Sequence, residues 1–159
     1  MTVVSDTSPI TNLIQVGRLE LLPGLFGKIV IPTSVFDELN RLPEQHTVLQ
    51  HVNWLQVTKV KDRTLVDTLL DKLDIGEAES IVLALETKAD YLLMDERRGR
   101  IKSQELGLAV TGLAGVLLMA KSRKLLSAVK PILDDLLHKG FRINLRLYAE
   151  LLRLAGEEI

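Results

Sequence analysis

The sequence predicts an α/β domain of three layers (α/β/α), with helices on both faces of a central, mostly parallel five-stranded sheet and a helical C-terminal extension. Three observations carry this. Short β-branched runs alternate with longer stretches of helical periodicity as far as Thr111. Most of those runs are apolar throughout rather than alternating, as strands covered on both faces of a parallel sheet must be. After the fifth run the strand signals stop, and three helical patterns follow.

Val3 to Ser5 reads as the first strand, ended by Asp6, and Ser8 and Pro9 open a helix near 9–25. The second strand, Ile29 to Ile31, leads into a helix near 33–41 whose Val35, Phe36 and Leu39 are expected to face the sheet. Pro43 to Val48 reads as a surface connection or the start of a short helix. Leu55 to Val57 is the third strand, followed by helices near 63–72 and 76–88. The second of these carries an apolar stripe of Ala78, Ile81, Val82, Leu85 and Ala89, which leaves Glu77 and Glu79 on opposite flanks. Tyr91 to Met94 and Ala109 to Thr111 are the last strands, with a helix near 97–106 between them. Helices then run over Gly112 to Lys121, over Ala128 to Lys139 with Pro131 near its first turn and Gly140 as its stop, and over Leu145 to Ala155. The last aligns Leu145, Tyr148, Leu152 and Ala155, and Leu147, Leu151 and Leu154 widen its apolar face beyond what docking onto one sheet needs.

The 159 residues are expected to form a single domain spanning 1–159, with the helical part at about 112–159. There are no cysteines, so disulfides and thiolate metal sites are excluded. No export signal is visible, and the longest apolar-looking run, Leu108 to Ala120, is shorter than the roughly 18 to 20 residues of a membrane span, so a soluble, cytoplasmic protein is expected. With a net charge of −1, bulk electrostatics give no argument for a polyanionic partner, which would have to meet a local patch.

In an open α/β sheet, ligands sit beyond the carboxyl ends of the strands where the strand order reverses. Asp6 directly follows the first strand and Asp95 the fourth. Asp37 and Glu38 lie on the helix after strand two, and Asp74, Glu77 and Glu79 crowd the start of the helix before strand four. If strands one, two and four are neighbours, these acids converge. Each also has a plainer structural role. Asp6 or Ser8 can cap a helix, Asp37 and Glu38 can complement a helix dipole, Asp74 and Glu77 have capping-box spacing, and Asp95 with Glu96, Arg97 and Arg98 can begin a solvated helix. A cluster of such carboxylates cannot stay ionised uncompensated, and a hard divalent cation compensates it well.

The order VVSDTSP, VFDEL, GEAESIVLALE, ADYLLMDE resembles the PIN domain, the nuclease fold of VapC-type toxins of prokaryotic toxin–antitoxin pairs. The C-terminal stretch is similar to that of a prokaryotic PIN-like family of unassigned function. The resemblance implies a ribonuclease whose acids hold Mg2+ or Mn2+. The family's acids fall on Asp6, with Ser8 nearby, on Glu38, on Glu77 or Glu79, and on Asp95. It further implies an RNA substrate and a small cognate antitoxin, and the broad apolar face of the last helix is expected to meet that antitoxin or a second copy in a homodimer. Two positions depart from the family pattern: Leu93 stands where Thr is usual, and Arg97 where an acid is frequent, with Glu96 as a neighbouring acid. Arg97, Arg98, Arg100 and Lys102 offer contacts to a substrate strand, and Lys121, Arg123 and Lys124 form a second basic cluster.

Rival chemistries find little support. His46, His51 and His138 lack zinc spacing, no G-x-S-x-G elbow is present, and a phosphoacceptor receiver domain would need a Lys that VTGLAG does not provide. Tyr91, Trp54 and Phe141 read as core as readily as base-stacking platforms. A PIN-fold protein without turnover, acting as a regulatory partner or scaffold, is the alternative from another class, and the Leu93 and Arg97 departures favour it.

Overall fold

In the computed structural model, which describes residues 1–158, ten helices surround one five-stranded sheet. The strands are β1 (Val3–Ser5), β2 (Ile29–Pro32), β3 (Leu55–Thr58), β4 (Tyr91–Leu93) and β5 (Val110–Thr111), in the order β3-β2-β1-β4-β5. Every pairing is parallel, with Val4 opposite Val30 on one side and Leu92 on the other. The chain builds outward from β1 to β3, then crosses to the other side of β1 for β4 and β5. The order therefore reverses between β1 and β4, and the crevice favoured by such sheets opens there.

Alternation along the strands divides the interior in two. Val3, Ile29, Ile31 and Leu93 point into the larger core, with α1 (Thr7–Gln15), α2 (Leu21–Phe26), α3 (Thr33–Leu39), α4 (Pro43–Leu49), α8 (Leu113–Ser122), α9 (Lys130–His138) and α10 (Leu145–Leu154) contributing to it. Val4, Leu92 and Met94 point into the smaller core under α5 (Arg63–Leu69), α6 (Ile75–Glu86) and α7 (Arg97–Glu105). Each fully buried Leu, Ile or Val contributes about 1.5–3 kcal/mol relative to its exposed state. Helix starts are fixed locally. The Asp62 carboxylate accepts from the Leu65 amide, the Asn144 side chain from the Leu147 amide, and Asp74 and Glu77 form a reciprocal capping box.

Several sequence expectations are corrected. The helix expected near 9–25 is two helices, broken where Gly17 adopts φ +67°, a left-handed conformation open to glycine at little cost. Pro43 does open a short helix. Phe36 remains 36% exposed rather than fully turned to the sheet. On α10 the buried face is Leu151 and Leu152, flanked by half-buried Tyr148 and Ala155, whereas Leu145, Leu147 and Leu154 face water. Glu77 and Glu79, on the two flanks of the α6 stripe, are both buried, because α3, α5, α7 and the sheet all pack on that helix. Beyond α10, the Glu157 carboxylate accepts from Lys121 Nζ at 2.8 Å and from the amides of Val129 and Lys130 at 2.7 and 3.0 Å, which ties the end of the chain to α8 and the start of α9.

Candidate active site

β1 ends at the buried Asp6, whose amide extends the sheet by donating to the Leu93 carbonyl at 2.9 Å. Its carboxylate makes no capping hydrogen bond to α1, so the structural role available to it from sequence is not used. The side chain instead enters a cavity of about 530 Å3 at the carboxyl edge of the sheet, lined also by Ser8, Glu38, Asp74, Glu77, Glu96, Lys72 and Arg98. Glu38 arrives from α3, and Asp74 and Glu77 from the capped start of α6. The capping box accounts for one oxygen of each: Asp74 Oδ1 accepts from the Glu77 amide at 2.8 Å, and Glu77 Oε1 from the Asp74 amide at 3.0 Å.

Gly76 shows how closely the acids converge. A Cβ built on it would stand 3.3 Å from Asp6 Oδ1, 3.4 Å from Glu38 Oε2 and 3.5 Å from Asp74 Oδ1. Carboxylate oxygens of Asp6, Glu38 and Asp74 thus all lie close against Gly76, where a side chain would crowd them. The electrostatic consequence falls on Asp6. Burial raises its pKa, the Thr7 amide partly opposes this, and Asp74, Glu77 and Glu38 raise it further, so that it is pushed up to about 7. Glu77 is also raised, by burial first and then by Asp74 and Glu96, against the Asp74 amide and Arg98.

Asp95 lies at the same sheet edge but lines an adjoining cavity of about 770 Å3, which shares Ser8 and Glu96 with the first. Its Oδ1 accepts from the Leu113 amide at 2.7 Å, at the start of α8, whereas Oδ2 is buried with no hydrogen-bond partner. Burial raises the Asp95 pKa, opposed by that amide and by Arg100 and supported by Glu96. Gly112 permits the arrangement, since a Cβ there would meet Arg100 Nη1 at 2.5 Å and Asp95 Oδ1 at 2.8 Å.

The two candidates for the third acid are separated. Glu79 lies outside these cavities, paired with Arg63 and accepting from the Ser34 amide at 3.0 Å. Burial alone would raise its pKa, but those hydrogen bonds outweigh burial and hold it below the ordinary value. Among the basic residues, Arg98 and Arg100 line the cavities and Arg97 lines neither. The second basic cluster is drawn elsewhere: Lys121 binds Glu157 and the Ala155 carbonyl, and Arg123 donates to the Leu25 carbonyl. Leu93 is fully buried in the larger core, so that departure from the family pattern is a packing position. Sequence reading counted Asp74 in the acidic group that could converge but did not carry it into the set of site residues, leaving it as a cap of α6. It missed the wall formed by Lys139 to Ile143, whose placement beside Asp95 no local signal announces.

A divalent cation fits this chemistry. The donors are hard oxygens, Asp6 is crowded by like charge, and Asp95 Oδ2 is an orphaned buried acceptor. Among the described residues no three His, Asp or Glu side chains are arranged closely enough to hold a metal ion as they stand. No described helix is long and apolar enough to cross a membrane.

No curated protein matches the chain significantly. A family profile described as a PIN domain matches residues 2–157, all but the extreme ends of the chain. With a parallel sheet whose order reverses at β1 and β4, and acids gathered at that reversal, the chain belongs to the PIN-domain family, a nuclease-type fold.

Proposed function

We propose that the protein is a metal-dependent ribonuclease that hydrolyses RNA phosphodiester bonds at the carboxyl edge of its sheet. The observation that carries this reading is the approach of Asp6, Glu38 and Asp74 to one another around Gly76, in one cavity, with Asp6 pushed up to about 7. Asp6, Glu38 and Glu77 would hold Mg2+ or Mn2+, joined by Asp74, with Asp95 completing the site through its unpartnered Oδ2. Glu79, the other candidate for this role, is committed to Arg63 and serves the fold. A bound divalent ion supplies a Lewis acid for the phosphoryl oxygen and lowers the pKa of water. The protein's own part is to hold its carboxylates apart by the capping box and the Leu113 amide, to set Ser8 where it can orient a water, and to place Arg98 and Arg100 beside the acids for the phosphates flanking the scissile bond. Glu96, which lines both cavities, supports the acidic field.

The test is cleavage of a mixed-sequence RNA by the purified chain with Mg2+, with Mn2+ and with chelator, beside Asp6→Asn. Metal-dependent cleavage lost in Asp6→Asn supports the reading, and cleavage unaffected by chelator or by Asp6→Asn refutes it. We assign the enzyme further to the toxin role of a toxin–antitoxin pair, restrained in the cytoplasm by a small cognate antitoxin and self-associating through the exposed Leu145, Leu147 and Leu154. Induced expression should then arrest growth, and co-expression of a small protein encoded beside it should relieve the arrest. The non-catalytic scaffold is the second reading, favoured by Lys72 and Arg98, which already bring positive charge to the acidic cavity.

A further inference from the structure

The cavity that holds the acids shares Lys72, Leu73 and Arg98 with a depression of about 410 Å3 on one side, and Ser8 and Glu96 with the one of about 770 Å3 on the other. The three form one trough across the carboxyl edge of the sheet, acidic in the middle, with cations on both arms. The larger arm runs past Asp95 and Arg100 to the connection between α9 and α10. There the cations differ in availability. Lys139 donates to the Gln15 carbonyl at 2.8 Å and pairs with Asp135 at 3.4 Å. Arg142 is exposed and, among the described residues, makes neither a side-chain hydrogen bond nor an ion pair. Beside it Phe141 is half-buried: it packs against the larger core and also lines the trough.

A cation without a protein partner next to an anchored aromatic ring, both in a groove that leads to carboxylates, is the pairing by which single-stranded nucleic acid is held: charge for the phosphate, a ring for the base. We propose that in this arm Arg142 meets a phosphate of the RNA strand and Phe141 stacks one base next to the acidic centre. The inference rests on the nuclease reading and adds the residues that hold the strand.

The test is anisotropy titration of a labelled single-stranded oligoribonucleotide against the intact chain across a salt series, with metal chelated so that the strand stays whole. Arg142→Ala should flatten the dependence of log K on log salt by about 0.7, one phosphate contact on a single strand. Phe141→Leu keeps the apolar packing but not the stacking face. It should weaken binding about tenfold while the salt slope stays as it was. Arg146→Ala, exposed on α10 and outside the trough, should change neither. Melting curves confirm that each variant is folded. Equal losses in Arg142→Ala and Arg146→Ala would mean diffuse charge attraction and overturn the proposal, as would a Phe141→Leu variant that binds like wild type or a wild type that does not bind. Cleavage that persists with KM unchanged in Arg142→Ala would remove the trough and leave the nuclease standing. The expected binding pattern in a chain that fails to cleave with either Mg2+ or Mn2+ would remove the nuclease and leave the trough.

Discussion

Replacing Asp6 with Asn removes one negative charge from a cavity shared with Glu38, Asp74 and Glu77 and leaves the shape of the side chain nearly unchanged. In the folded protein Asp6 is held at about 7, against 3.8 for the free group, chiefly by burial and then by those neighbours. Between these two values the folded chain binds a proton that the unfolded chain has released, so the Asp6 contribution to stability is complete below about 3.8 and is lost as pH rises to about 7. At about 1.36 kcal/mol per pH unit, the interval between 3.8 and about 7 corresponds to about 4 kcal/mol, an upper figure because water entering the cavity screens part of it. Glu77 and Asp95 are raised in the same sense and Glu79 and Glu157 in the opposite one, so the informative quantity is the difference between Asp6→Asn and wild type. Urea unfolding in chelator should show that difference flat below about pH 4, growing in favour of Asp6→Asn, and reaching about 2–4 kcal/mol by about pH 8. Mg2+ at about one hundred times its Kd should return about 2.7 kcal/mol to wild type and much less to the variant. A difference that does not change between about pH 4 and pH 8 would refute the reasoning, because Asp6 would then be no more strained folded than unfolded.

Further outcomes follow from the same geometry. Gly76→Ala puts a methyl group among Asp6, Glu38 and Asp74; thermal melts should show the fold kept within about 1 kcal/mol, helix propensity offsetting the tight contacts, while the Mg2+-induced rise in melting temperature disappears. Glu77→Gln should abolish cleavage and the metal response, whereas Glu79→Gln should leave both and lower stability by about 1–3 kcal/mol through the loss of its charged bond with Arg63; the reverse pattern in paired cleavage and unfolding assays would exchange their roles. Glu157 has its pKa held below the ordinary 4.5 by Lys121 and the amides of Val129 and Lys130, against the opposing effect of its own burial. The stability it gives is therefore present above 4.5 and lost as pH falls through its lower folded value. Glu157→Gln should cost about 1.5–3 kcal/mol at neutral pH and flatten the acid limb of the stability profile, as measured by denaturant titration.

What the sequence determined by itself was whatever depends on near neighbours in the chain. The five strand runs, most of the helical periods and the cap at Asp74 are local choices realised in the structure within a few residues, whereas the period near 9–25 is divided at Gly17. The places of Asp6 and Asp95 after β1 and β4 were legible for the same reason, since a strand that ends in a carboxylate must release it at the edge of the sheet. Tertiary structure decided what depends on partners distant in sequence. Glu77 and Glu79 are equivalent on a helical wheel, and only Arg63 from α5 and the Ser34 amide from α3 draw Glu79 away from the cavity. Asp74 could be read as a cap, but its approach to Asp6 and Glu38 needs β1, α3 and α6 to be packed together. Lys121 and Arg123 look free in the sequence, yet the Glu157 carboxylate and the carbonyls of Ala155 and Leu25 claim them. The face that α10 buries, and the arrival of Phe141 and Arg142 beside Asp95, follow from how α9 and α10 fold back over the larger core. Periodicity says that a helix has an apolar side, but which residues lose water is set by the surface that meets it.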